Sequence, residues 1–144
     1  QNSHVLPALI RKAHEAKEID SKHIEIWGTG KPKREFLHVD DMAAACIHLF
    51  ENVDAQDLYN DCGLSHINIG TGEDISIRDL ANLVCKIVGF GGKLEFDSSK
   101  PDGTPRKLLD VTRLHQMGWR HKISLEQGVR RTYEWFLTAE TIRE

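Results

Sequence analysis

The stretch KPDGTPRKLLD, residues Lys100–Asp110, combines two prolines, one glycine and three basic residues. Because Pro101 and Pro105 fix φ and Gly103 permits a turn, the stretch is predicted to be a loop rather than a helix or a regular strand. The apolar pair Leu108–Leu109 follows at once and would attach one end of the loop to the core. A stiffened basic loop of this kind suits a phosphate or pyrophosphate. The alternative is a solvated surface turn.

The composition of the 144-residue chain is that of an ordinary globular domain with its own core, with 40% hydrophobic and 28% charged residues. The net charge of −3 gives no indication of nucleic-acid binding. The sequence contains no apolar run near the ~20 residues of a membrane span and no signal-peptide pattern. We therefore expect a cytoplasmic protein with neither a nucleic acid nor a membrane as partner. Since no initiator Met precedes Gln1, we also expect a piece of a longer protein.

The cysteines and histidines do not indicate a disulfide framework or a metal site. Cys46, Cys62 and Cys85 are an odd number without CxxC spacing, which fits a reducing cytosol. None of the eight histidines forms an HxxxH or HExxH pair, so no metal site is predicted.

Apolar spacing predicts an α/β fold with no internal repeat. Strands 24–27 and 34–39 are predicted to form a hairpin. Further strands are predicted at 66–69 and 93–97, and helices after Ser3, after Asp40, at 77–88, at 113–117 and from Leu125 to Leu137. The helix after Asp40 is expected to bury an apolar stripe, which would make Cys46 a core residue: Met42, Cys46, Leu49, Phe50 and Val53.

The usual signatures of cofactor binding and catalysis are incomplete in this sequence. Gly70-x-Gly72 resembles a dinucleotide-binding turn, but Ile75 stands where the third glycine belongs. Neither Tyr59 nor Tyr133 begins a Tyr-x-x-x-Lys pair, and the chain has no Walker A motif and no Gly-x-Ser-x-Gly elbow. The residues alone predict an anion-binding α/β domain.

Four stretches together form a more specific pattern: SHV at 3–5, REFLHVDDM at 34–42, HINIGTG at 66–72, and KPDGTPRKLLD with its continuation to Gly118-Trp119. They resemble the C-terminal part of the GDP-L-fucose synthase family, NADP-dependent enzymes of the extended short-chain dehydrogenase class. Many sugar-nucleotide enzymes share the HVDD and NIGTG elements, whereas KPDGTPRKLLD is much more specific. The resemblance covers nearly the whole chain.

This resemblance implies a small mixed α/β substrate-binding domain, residues 1–137 with a tail at 138–144, whose Rossmann half is absent from this chain. Family members convert GDP-4-keto-6-deoxy-D-mannose to GDP-L-fucose by two epimerisations next to the ketone and hydride transfer from NADPH. The implied cofactor is NADP, bound mainly by the N-terminal half. The implied partners are the GDP-sugar, that N-terminal half and a second copy in a full-length homodimer. The isolated chain is expected to be inactive.

The resemblance also assigns roles to two residues of the first predicted helix. His4 matches the family histidine that donates a proton during epimerisation and lies near the nicotinamide of the cofactor. From the sequence alone, His4 is a residue in the first turn of a helix. Lys12 matches a basic substrate-binding position where other members carry Arg, so the charge is kept without the bidentate fork.

Five further residues match substrate-binding positions of the family. Trp27 and Arg34 match substrate contacts, although Trp27 could equally be a half-buried strand aromatic. Asp102 matches an acidic position in the nucleotide pocket, where it would accept hydrogen bonds from the ribose hydroxyls or the guanine edge. Arg106 and Lys107 would neutralise the pyrophosphate.

Two other hypotheses remain open. The shared strands alone are consistent with another NAD(P)-dependent sugar-nucleotide epimerase, dehydratase or reductase. The missing Tyr-x-x-x-Lys pair and cofactor turn are consistent with a non-catalytic nucleotide-binding module.

Overall fold

The computed structural model describes residues 4–61, 63 and 65–139. Their mixed α/β fold, with two small sheets, confirms the predicted class. The regular elements are α1 (Val5–Glu18), β1 (His23–Trp27), β2 (Lys33–Arg34), α2 (Val39–Asn52), a π-helical turn (Asp57–Asp61), β3 (Ile75–Ser76), α3 (Ile77–Val88), β4 (Lys93–Asp97), β5 (Arg106–Lys107), α4 (Thr112–Gln116) and α5 (Leu125–Thr138).

The chain divides into two compact units. Of the described residues, the first unit comprises 4–34, 75–106 and 129–139, and the second comprises 35–61, 63, 65–74 and 107–128. Of the helices in the described residues, none combines the length and apolar character needed to cross a membrane. The same residues contain no cluster of three or more His, Cys, Asp or Glu side chains placed to bind a metal ion.

The first unit is built on a parallel pair of strands. β1 pairs with β4 in the register His23↔Lys93 to Trp27↔Asp97, and Ile24 and Ile26 alternate inward as the sequence pattern predicts. α1 packs against α3 and β1. Each of the two helices buries an apolar face: Leu9, Ile10, Ala13 and Ala16 in α1, and Leu80, Ala81, Val84 and Val88 in α3.

The predicted hairpin is wrong. Strand β2 covers only Lys33–Arg34 and pairs antiparallel with β3, in a second sheet of order β3-β2-β5. The partner of β1 is β4, so the turn after Trp27 leads out of one sheet and into another. No strand is assigned at 35–39 or at 66–69, although both stretches have strand-like sequences.

The second unit has a small core of Ala45, Leu114 and Trp119, against which half-buried residues pack: Leu37, Leu49, Ile67 and Ile69. Trp119 is 6% exposed and packs within this core. Asp41 of α2 is also buried, at 4% exposure. Its carboxylate accepts hydrogen bonds from the backbone N–H groups of Lys122 (3.2 Å) and Ile123 (2.9 Å).

The buried face of α2 is not the predicted one. Met42 and Phe50 are exposed, and so is Cys46, which is therefore not a core residue. The helix is rotated because Asp41 must reach the amides of 122 and 123, which turns Asp41 and Ala45 inward. The N-cap residue is His38 rather than Asp40, and its ring Nδ1 accepts from the Asp40 N–H at 3.2 Å.

The other two cysteines are Cys85 and Cys62. Cys85 is half-buried in α3, and burial raises the pKa of its thiol. Cys62 lies outside the described residues. So does Ser3, the residue after which the first helix was predicted to begin, and the N-cap position of α1 is taken by His4.

Capping interactions define both ends of α3 and the start of α5. Ser76 Oγ accepts from the Asp79 N–H at 3.0 Å, and α3 ends at Gly89 with φ 78°. At the start of α5, Ser124 Oγ accepts from the Gln127 N–H (3.3 Å) while Gln127 Oε1 accepts from the Ser124 N–H (3.2 Å), which is a reciprocal capping box.

Replacing Asp41 with alanine tests the link that orients α2. Asp41→Ala leaves two backbone N–H groups without their acceptor, so the free energy of unfolding should fall by about 2–4 kcal/mol. Urea denaturation followed by Trp119 fluorescence measures it. The exposed neighbour offers a control, because Asp40→Ala should cost less than about 1 kcal/mol. Equal losses for the two variants would contradict the assigned role of Asp41.

Candidate functional site

The first unit contains a cavity of about 550 Å³ whose walls come from distant parts of the sequence. α1, the end of β1, the turn that follows it and the loop 98–105 all contribute. The lining residues are Val5, Ala8, Leu9, Lys12, Ile26, Trp27, Gly30, Pro32, Arg34, Ile77, Pro101, Asp102 and Gly103. A lining of mainly apolar side chains with a few polar and charged groups is typical of a small-molecule site.

The loop is attached to the turn after β1 by the carboxylate of Asp102. Oδ1 accepts from the Thr29 N–H at 2.8 Å, and Oδ2 accepts from the Thr29 hydroxyl at 2.6 Å. A β-carbon at Gly28, where φ is 84°, would collide with the Asp102 carboxylate. Glycine is therefore required at this position both for the backbone conformation and for the close approach of the loop.

Hydrogen bonds also set the charge of Asp102. The Thr29 hydroxyl first, and its N–H second, lower the pKa of Asp102 below the ordinary carboxyl value of 3.8. The carboxylate is therefore ionised across the physiological range, and each oxygen accepts a bond from Thr29.

Arg34 fixes the other side of the same loop. Its Nη1 donates to the carbonyl oxygens of Lys33 and Thr104, both at 2.6 Å. A β-carbon at Gly103 would lie 3.1 Å from Arg34 Nη2, so the loop backbone passes directly beside the guanidinium. Both bonds use Nη1, and the guanidinium carries three further N–H donors on Nε and Nη2 for an anion in the cavity.

Glu25 binds two of the side chains that line the cavity. Its backbone carbonyl accepts from Lys12 Nζ at 3.0 Å, and its side-chain Oε1 accepts from the Trp27 indole N–H at 3.1 Å. The Trp27 ring remains 65% exposed, and Lys100 Nζ lies 5.6 Å from the ring centroid. The cavity thus presents an exposed aromatic ring between cationic side chains.

The structure brings four of the seven predicted site residues to one cavity: Lys12, Trp27, Arg34 and Asp102. The other three do not line it. His4 is exposed at the N-cap of α1, one residue before the lining residue Val5. Arg106 is exposed at the start of β5.

Lys107 belongs to the second unit, where it lines another cavity of about 500 Å³ with Glu35, Leu37, Ile69, Gly70, Leu108 and Leu109. Glu35 is an organising residue that the sequence analysis missed. Its Oε1 accepts from the N–H groups of Thr71 (2.5 Å) and Gly72 (2.7 Å), and its Oε2 from the Leu109 N–H (2.8 Å).

The bonds to Glu35 also bear on cofactor binding. In a dinucleotide-binding turn the backbone N–H groups point toward the pyrophosphate. Here the N–H groups of Thr71 and Gly72 point at Glu35, and the carboxylate fills the space beside Gly70. The turn at 70–72 therefore does not fit an NADP pyrophosphate cradle, in agreement with its incomplete glycine pattern.

No spacing or periodicity in the sequence pointed to Glu35 or Thr29. Both act through hydrogen bonds to residues more than seventy positions away or to a turn whose conformation depends on the fold. The glycines beside them were the available signal, since each marks a place where a carboxylate approaches the backbone.

Titration of Asp102 tests the attachment of the loop. Because the folded-state pKa is below 3.8, both bonds are present above that pH and are lost only as the pH falls through the folded-state pKa. In Thr29→Val the hydroxyl is removed, so the pKa of Asp102 should rise toward 3.8. Carboxyl-carbon NMR measures it.

Ser99→Ala is the matched control for this titration. Ser99 donates to Asp97 in the same part of the chain, so its loss should raise the pKa of Asp97 and leave that of Asp102 unchanged. A pKa of Asp102 that does not respond to Thr29→Val would contradict the geometry.

Substitution at Gly70 tests the packing of Glu35. A β-carbon there would collide with the Glu35 carboxylate, so Gly70→Ala should lower the free energy of unfolding of the second unit by about 1–3 kcal/mol. In Gly91→Ala the new methyl group meets no atom within 4 Å, and we expect a change of less than about 1 kcal/mol. Urea denaturation compares the two, and a tolerated Gly70→Ala would show that Glu35 is not held in place.

The chain is similar to known proteins in both sequence and structure. The model of the NAD dependent epimerase/dehydratase family matches residues 1–70. GDP-L-fucose synthase of Escherichia coli (strain K12) is 60% identical over 137 residues, which are 94% of this chain and 43% of that protein.

Two solved structures from Campylobacter jejuni are also similar. A GDP-6-OMe-4-keto-L-xylo-heptose reductase is 40% identical with a TM-score of 0.84, over 94% of this chain and 48% of that one. MlghC, a GDP-mannoheptose C4 reductase with NADP bound, is 43% identical with a TM-score of 0.78, over 95% and 46%.

The chain spans less than half the length of these relatives. It nevertheless matches them over almost all of its own length, including both compact units. Over residues 1–70 the chain therefore matches the model of the NAD dependent epimerase/dehydratase family, and over 94% of its length it is similar to a GDP-L-fucose synthase.

Proposed function

We propose that this chain is the substrate-binding part of a GDP-L-fucose synthase, which converts GDP-4-keto-6-deoxy-D-mannose to GDP-L-fucose by 3,5-epimerisation and NADPH-dependent reduction. One observation carries the proposal. Four residues that match substrate positions of the family, from Lys12 to Asp102, converge on a single cavity. In this proposal residues 1–137 form the substrate domain of a full-length homodimer, and 138–144 form a tail.

The chemistry of the cavity suits a nucleoside diphosphate. Lys12 and Arg34 supply cationic donors for the phosphate oxygens, and Arg34 is the stronger of the two because it offers a planar fork. The exposed ring of Trp27 offers an apolar face of a size that matches a base or a sugar. Loop 98–105 would close the site, and Asp102 would hold that loop through Thr29 while facing the nucleotide.

Arg106 and Lys107 have a supporting role in this proposal. They follow the loop directly in sequence, and in this proposal their charges neutralise the pyrophosphate, although neither side chain lines the cavity around Trp27. Each charge-assisted hydrogen bond of this kind contributes on the order of 1.5–3 kcal/mol when it forms.

His4 is the proposed proton donor. Epimerisation next to a ketone removes a proton from carbon and returns it to the opposite face, so it needs a group that titrates near neutral pH. His4 stands at the N-cap of α1, directly before Val5 at the edge of the cavity. The cofactor would be held by the remaining half of the enzyme, since the turn at 70–72 does not fit it. We therefore expect the isolated chain to be inactive.

The GDP-heptose reductases make a specific second candidate, because two of them are 40% and 43% identical to this chain. The 60% identity to the Escherichia coli fucose synthase favours the first candidate. Both candidates take a GDP-linked 4-keto sugar, so nucleotide selectivity is common to them and the sugar distinguishes them.

Nucleotide titration tests the proposed site. Trp27 fluorescence should change saturably with GDP and more weakly with UDP or ADP, and added salt should weaken the affinity. Arg34→Ala should raise the dissociation constant roughly tenfold or more. Lys22→Ala removes an exposed charge that does not line this cavity and should leave the constant unchanged. Equal affinity for the three nucleotides would contradict the proposal of a GDP-sugar site.

A further inference from the structure

The turn that follows β1 is hydrogen-bonded to the first residues of α3. The N–H groups of Ile77 and Arg78 have no partner within the helix, because they belong to its first turn. They donate instead to the carbonyl oxygens of Pro32 and Gly30, both at 3.0 Å. The start of α3 thereby satisfies its own terminal donors and fixes the position of the turn.

The side chain of Arg78 extends this attachment to Thr29. Its Nη2 donates to the Thr29 carbonyl oxygen at 3.0 Å, and its guanidinium carbon lies 3.8 Å from the centroid of the Phe96 ring. The ring supports one face of the guanidinium, which directs the donor at Thr29. Gly30 lies between the two side chains, since a β-carbon there would collide with the Phe96 ring and lie 3.2 Å from Arg78 Cβ.

Thr29 connects Arg78 to the loop 98–105. Its carbonyl oxygen accepts from Arg78, whereas its N–H and its hydroxyl donate to the Asp102 carboxylate at 2.8 and 2.6 Å. The hydroxyl also accepts from the Lys31 N–H at 3.2 Å. Every polar group of Thr29 is thus bonded, so a displacement of its carbonyl oxygen would also displace the two donors that hold Asp102.

Arg78 acts on the candidate site from outside it. It does not line the cavity around Trp27, and it lines a different cavity of about 510 Å³ together with Phe96. Because Arg78 is exposed, its side chain contributes little to the stability of the whole domain. The contribution of the guanidinium to the site therefore passes through Thr29.

We propose that Arg78 is a positioning residue of the nucleotide site, which sets the position of Asp102 and of the loop 98–105 through Thr29. This inference rests on the proposed function, which supplies the GDP-sugar that the loop would cover. The guanidinium binds no ligand itself. It keeps the loop in its binding conformation before the nucleotide arrives, and a loop that is already ordered lowers the entropic cost of binding.

The 144-residue chain tests this attachment without any ligand. Arg78→Met keeps an unbranched side chain and removes the guanidinium. The Thr29 amide proton should then exchange with solvent faster, by about fivefold or more, and the pKa of Asp102 should rise toward 3.8. The Thr29 hydroxyl and N–H lower that pKa most, and the cation that contributes is Lys31, so the rise reports the bonds to Thr29 rather than the lost charge. Amide hydrogen exchange and carboxyl-carbon NMR measure the two.

Lys86→Met is the matched control, because it removes an exposed cation from the same helix about 12 Å further along its axis. It should leave the exchange of Thr29 and the pKa of Asp102 unchanged. Unchanged values in Arg78→Met, or equal shifts in the control, would overturn the proposal. A fall in the melting temperature of Arg78→Met by about ten degrees or more would show a general structural role and would overturn it as well.

Nucleotide titration then separates the positioning role from the proposed function. Arg78→Met should raise the dissociation constant for GDP by about fivefold or more. It should have no further effect in an Asp102→Ala background, where the attachment is already lost, so additive effects of the two substitutions would overturn the proposal. If Arg78→Met changes Thr29 and Asp102 as expected in a chain without affinity for GDP, the positioning of the loop is sustained and the proposed function is contradicted.

Discussion

The carboxylate of Asp102 is the interaction on which the candidate site depends. It accepts both the N–H and the hydroxyl of Thr29, 73 residues earlier in the chain, and so holds the loop 98–105 against the turn after β1. Together with the bond from Arg34 to the Thr104 carbonyl oxygen, that attachment fixes the position of Pro101 and Gly103 relative to Trp27. The cost of ordering the loop is partly offset by charge-assisted bonds, which are stronger than neutral ones.

In the second unit, two further carboxylates accept hydrogen bonds from backbone N–H groups that are distant in the sequence. Glu35 accepts N–H groups from both the turn at 70–72 and Leu109, and Asp41 accepts those of Lys122 and Ile123. In each case an acidic side chain replaces the strand or helix partner that a backbone N–H group would otherwise need. Each unit thereby holds irregular backbone in place with few regular strands.

Local signals in the sequence predicted what is local in the structure. α3 was bounded correctly because Ser76 and Gly89 determine its ends within a few residues. The hairpin was wrong because β1 pairs with β4, and no nearby residue reveals so distant a partner. The period of α2 indicated which residues share a face, but only the buried Asp41 decides which face is turned inward. The site residues Lys12 to Asp102 came from family resemblance, whereas their hydrogen-bond partners depend on the fold.

The most direct test of the central claim is turnover by a chimera in which residues 1–137 replace the matched part of the Escherichia coli enzyme, with GDP-4-keto-6-deoxy-D-mannose and NADPH as substrates. We predict that it forms GDP-L-fucose, that His4→Ala in the same chimera abolishes epimerisation at C3 and C5, and that a GDP-4-keto-heptose is a poorer substrate. A folded chimera that binds NADP and reduces only the heptose derivative would contradict the assignment to GDP-L-fucose synthesis.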